Sequence, residues 1–77
     1  MSEELNYYNL RLHLRKKGIP ESMYSVGCFA EEAVCIVNEN NEWVVFEGEH
    51  GYRFNVKTFG DETDACEYFV NRITTLY

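Results

Sequence analysis

Cysteine is scarce in this chain: Cys28, Cys35 and Cys66 are the only three among 77 residues, and no two form a CxxC pair. An odd count excludes a fully paired disulfide framework, and a structural zinc site would want close ligand pairs. All three are therefore expected to be reduced thiols. Histidine is scarcer still, with only His13 and His50. No glycine-rich phosphate loop or nucleotide fingerprint occurs. No apolar run approaches the ~20 residues needed to cross a bilayer, and the acidic, polar stretch Met1 to Leu5 has no secretory pattern. Together these gaps predict a cytoplasmic protein with no membrane segment, no cofactor, no metal and no enzymatic centre.

Positive charge is also thin over most of the length. Residues 1–20 hold four bases (Arg11, Arg15, Lys16, Lys17) against Glu3 and Glu4, whereas residues 21–77 hold eleven acids against Arg53, Lys57 and Arg72. The net charge is −6. Such a field repels polyanions and attracts cationic partners. Acidity of this degree also serves solubility alone.

Aromatic residues, by contrast, are plentiful: six Tyr, five Phe and one Trp. That much ring area argues for a packed core and against disorder. The length admits one domain, 1–77, which buries only about 60% of its unfolded surface and so has modest stability.

Residues 4–17 place Tyr7, Leu10 and Leu14 on one helical face, with Leu5, Tyr8 and Leu12 beside them. Arg15, Lys16 and Lys17 suit the negative end of the dipole, Gly18 the C-cap and Pro20 the stop. A connection follows, in which MYSVG could be briefly extended. AVCIV (33–37), WVVFE (43–47) and YRFNVK (52–57) then read as strands, separated by turn signals in ENNE (39–42) and GEHG (48–51). In the third strand, Tyr52, Phe54 and Val56 should share one face and Arg53, Asn55 and Lys57 the other. Asp61 reads as the N-cap of a second helix, with Asp64 as a capping-box relative and Glu62 complementing the dipole. Its buried stripe is Ala65, Cys66, Phe69, Val70, Ile73 and Leu76. The expected fold is α+β in the order α-β-β-β-α: a three-stranded antiparallel meander with both helices on one face. The opposite face is expected to be largely solvated.

That element order is also the order of the double-stranded RNA-binding domain, which grips phosphates with bases at the start of its second helix. Here that place reads DETD. Carboxylates facing a duplex phosphate lattice repel it, so charge sign excludes nucleic acid.

Candidate chemistry is sparse. GEHG with Glu47 and Glu49 matches a metal site weakly and a solvated turn well. Cys35 and Cys66 fall on packing positions, and Cys28, the most exposed candidate, has no base in view. Binding is the remaining class. Glu31, Glu32, Glu39, Glu42, Glu47 and Glu49 put carboxylates at both ends of the meander, where they would steer a cationic partner. Trp43, Tyr52 and Phe29 are the aromatic candidates to anchor it, with Trp43 divided between core and interface.

Four stretches carry a family resemblance: GIPE..YSVG ending at Gly27, E.AVCIV from Glu31 to Val37, W.VFE.E.G from Trp43 to Gly51, and KTF.....ACEYF from Lys57 to Phe69. With the leucines of the first helix they resemble the small immunity proteins of bacterial polymorphic toxin systems. The resemblance spans nearly the whole chain and consists of structural punctuation. It implies a cytoplasmic inhibitor that binds a cognate toxin domain, often a basic nuclease; a monomer or weak homodimer is expected. It implies no particular binding residue. A phage-encoded inhibitor of a host defence nuclease uses the same physics, and a structural or regulatory homodimerisation module is the alternative from another class.

Overall fold

The computed structural model describes residues 6–76, with the side chain of Leu76 outside the described set. The elements are α1 (Leu10–Lys16), a 3-10 turn (Glu21–Met23), β1 (Tyr24–Val26), β2 (Ala33–Glu39), β3 (Glu42–Glu49), β4 (Tyr52–Phe59) and α2 (Glu62–Leu76). The class is α+β, but the sheet has four strands, not three, in the order β1-β2-β3-β4. β1 pairs parallel with β2, and the other two pairings are antiparallel. The expected meander is therefore β2 to β4, and MYSVG adds a parallel edge strand.

The parallel strand has a consequence for packing. Parallel neighbours need the chain to return along the strand, usually through a dozen or more residues. β1 is three residues long, about 10 Å, so the connection 27–32 can make the return without a helix. It runs over the face opposite the helices. Phe29 stacks on Phe46 with ring centroids 6.1 Å apart, and Ala30 packs on Cys35, Val37, Val44 and Phe46. Arg53 adds cover, its guanidinium 4.4 Å from the Phe46 ring centroid. The expected solvated face is thus a second small core. A parallel return crossing that face leaves no signal in strand periodicity.

Both helices pack on the other face, as expected. Leu10 and Leu14 of α1 join Ala65, Cys66, Phe69, Val70 and Ile73 of α2 over Tyr24, Val26, Val34, Ile36 and Val45. α1 is shorter than the expected 4–17: residues 7–9 form a turn, and the part on residues 4 and 5 lies outside the described set. Asn6 and Asn9 explain the late start, because their side-chain oxygens accept the backbone N–H groups of Tyr8, Asn9 and Asn6 and compete with helical bonding. α1 ends in a Schellman motif. The Gly18 N–H donates to Arg15 O and the Ile19 N–H to Leu14 O, with Gly18 at φ +79 and Ile19 buried against the helix it closes.

Both hairpins use two-residue loops with positive φ at both positions, Asn40–Asn41 (51, 65) and His50–Gly51 (53, 79). That is the turn whose twist matches paired strands. β4 departs from simple alternation. Its register shifts between Val45 and Glu47 of β3, and Asn55 at φ +52 supplies the extra residue. Phe54 and Lys57 consequently share a face, opposite Glu47 and Val45, while Val56 turns to the other. The expected grouping of Tyr52, Phe54 and Val56 is therefore broken by a bulge, and all three are exposed. α2 begins as expected at Asp61, whose Oδ1 accepts the Thr63 N–H and whose carbonyl accepts the Ala65 N–H.

Candidate interaction surface

The acids proposed to steer a partner divide by what holds them. Glu31 accepts the His50 and Gly51 backbone N–H groups at 2.8 and 2.6 Å. It ties the β1–β2 connection to the β3–β4 turn. Glu39 grips Arg53 through two bonds of 2.8 and 2.7 Å; those bonds hold its carboxyl below the usual range and the guanidinium above its own. Glu47 accepts from Arg72 and Asn55. Burial pushes its carboxyl up, but the two hydrogen bonds and the Arg72 charge outweigh that and leave it below the ordinary value. Glu62 accepts the Tyr7 N–H at 2.9 Å and fastens the N-terminal turn to α2.

Glu32, Glu42 and Glu49 keep their charge available: all three are exposed, and among the described residues only Glu49 has a basic side chain within ion-pair reach, His50 at 3.7 Å. Glu42 lies at the Asn40–Asn41 turn, and Glu32 and Glu49 at the opposite end of the sheet. The Glu32 N–H donates to Gly48 O at 2.7 Å, which sets Glu32 alongside Glu49. Glu32, Glu47 and Glu49 rim one cavity of about 270 Å³ whose remaining lining is Met23, Ala33, Val34 and Gly48.

Trp43 is half-buried on the helix face, 5.0 Å from the Tyr7 ring, and packs against the main core. Tyr52 belongs to a different surface. It opens β4 and shares a face with Phe54, the two being 70 and 45% exposed, whereas Val56, at 47%, lies beyond the bulge on the other face. Phe29, at 38%, is committed to Phe46 on one side. The thiols divide similarly: Cys35 and Cys66 are buried and Cys28 is exposed, with Ser25 Oγ 3.3 Å from its sulfur. Burial pushes the Cys66 thiol up to about 11.

Among the described residues no cluster of three His, Cys, Asp or Glu is placed to hold a metal, and no helix is long and apolar enough to cross a membrane. Sequence reasoning named Tyr52 for the surface but missed the exposure of Phe54 and Val56. The apolar alternation of β4 resembles a buried strand, and only its place at the sheet edge separates the two. No known protein family, curated protein or solved structure matches the chain.

Proposed function

We propose that this chain is a stoichiometric protein inhibitor of the immunity type, which captures a basic toxin domain and occludes its working surface. The observation that carries the reading is the β4 strip: Tyr52 and Phe54 exposed on one face of an eight-residue edge strand, with Glu49 at its leading turn. An aromatic centre bordered by charge is the anatomy of a protein interface. The available carboxylates of Glu32, Glu42 and Glu49 would speed encounter with a cationic partner and disfavour wrong ones. The same carboxylates oppose nucleic acid.

Homodimerisation through sheet edges fits less well. β1 is only three residues long. β4 carries a bulge at Asn55 and an exposed Lys57. Short, bulged and charged edges resist pairing with another copy. Side chains of β4, rather than its backbone, are then the contact.

Co-expression with a basic toxin domain taken from a neighbouring gene tests the proposal. Growth should be restored and a one-to-one complex should co-purify at low salt. Replacing Tyr52 and Phe54 together with serine should abolish capture while leaving the fold intact, because both side chains are exposed. Rescue that persists in that double variant would rule out the β4 strip, and failure of the unaltered chain to rescue would rule out the inhibitor reading.

A further inference from the structure

We infer that the cavity rimmed by Glu32, Glu47 and Glu49 receives one arginine side chain from the basic partner, a conclusion that rests on the inhibitor reading for its biological source. The cavity is about 270 Å³, below the roughly 300–1,000 Å³ of small-molecule and cofactor sites. Its scale suits a single long side chain. Met23, Ala33 and Val34 give it apolar walls, and Gly48 completes the lining with backbone alone. An arginine has the matching composition, an aliphatic stem for the walls and a forked cation for the rim.

The charge at the rim is incompletely balanced. Glu47 is engaged by Arg72 and Asn55. Three carboxylates against that one guanidinium leave −3 + 1 = −2 at the cavity. His50 lies 3.7 Å from Glu49 and adds a positive charge only when protonated. Glu32, in the turn before β2, and Glu49, at the end of β3, line the same cavity, where like charges repel. An incoming guanidinium relieves that repulsion and bonds both carboxylates through its fork. A lysine would offer a point charge to only part of the rim.

The test is a titration of the isotope-labelled full chain, followed by amide NMR, with N-acetyl-arginine amide and its uncharged counterpart N-acetyl-citrulline amide. Arginine should give saturating shifts confined to Met23, Ala33, Val34 and Gly48, and citrulline none. The E32Q/E49Q variant, altered only at exposed positions, should keep its melting temperature and bind the arginine probe roughly fivefold more weakly. Diffuse or unsaturating shifts, an equal response to citrulline, or an unaffected double variant would each overturn the inference. Shifts at the same amides that grow with protein concentration alone, together with dimers in sedimentation, would give the cavity to an arginine of a second copy and overturn the partner assignment. Because the probe needs no toxin, the titration stands apart from the co-purification. Loss of the arginine response with an intact toxin complex removes this cavity and leaves the inhibitor reading in place.

Discussion

Replacing Gly48 with alanine should strike the junction on which the second core depends. A Cβ at this position would lie well under 3 Å from the Ala30 carbonyl oxygen and 3.0 Å from Phe29 Cε2. The ring can swing aside, but the carbonyl is backbone and must retreat by about 1 Å to reach ordinary contact. Its retreat strains the 27–32 connection. Overpacking of this kind costs about 1–3 kcal/mol. The Glu32 N–H to Gly48 O bond, 2.7 Å in the native chain, is worth about 1 kcal/mol if lost. Weakened stacking of Phe29 on Phe46 adds about 0.5–1 kcal/mol. The sum is about 2–5 kcal/mol, against a total of about 4–12 kcal/mol for a domain of this size. At about 4–8 °C per kcal/mol, the melting temperature should fall by roughly 8–40 °C. Far-UV circular dichroism melts of Gly48→Ala and Gly60→Ala make the comparison. Gly60 is the control because its added methyl meets nothing within 4 Å. If the two variants melt within about 2 °C of each other, which is under ~0.5 kcal/mol, the packing of the connection onto Gly48 is wrong.

Three further outcomes are expected. Glu31→Ala should cost about 1–2 kcal/mol and speed amide exchange at His50 and Gly51, the two groups its carboxylate holds; unchanged exchange there would contradict the clamp. Glu47, with its folded carboxyl below the ordinary value of 4.5, contributes stability fully above that value and loses it as pH falls through the lower folded one. Glu47→Gln should therefore flatten the acid limb of urea midpoint against pH, and a limb as steep as the native one would refute the Arg72–Asn55 account. In thiol titration with an aromatic disulfide, only Cys28 should react in the native chain and all three in denaturant, because burial raises Cys66 to about 11 and also raises Cys35.

Local punctuation was legible in the residues themselves. Gly18 and Pro20 ended α1, Asp61 opened α2, and both two-residue turns fell inside the expected ENNE and GEHG stretches. The stripe from Ala65 to Ile73 was also readable, since period-3.6 burial needs only one face to meet a core. The candidate site was legible only as composition. Of six acids named for steering, Glu39 and Glu47 proved to be paired with Arg53 and Arg72, and Glu31 to be a turn clamp. These partners lie between 14 and 25 positions away in the chain, and no local pattern announces such pairings.

Charge sign, core composition, helix termini and turn positions belong to the sequence by itself, because each depends on one residue or on neighbours a few positions apart. Tertiary structure decided which carboxylates stay available, which strand stands at the edge, and which sheet face a loop would close. Those outcomes come from contacts between distant segments: β1 laid parallel to β2, its short return drawn across Phe46 and Gly48, and β4 placed at the edge of the described sheet.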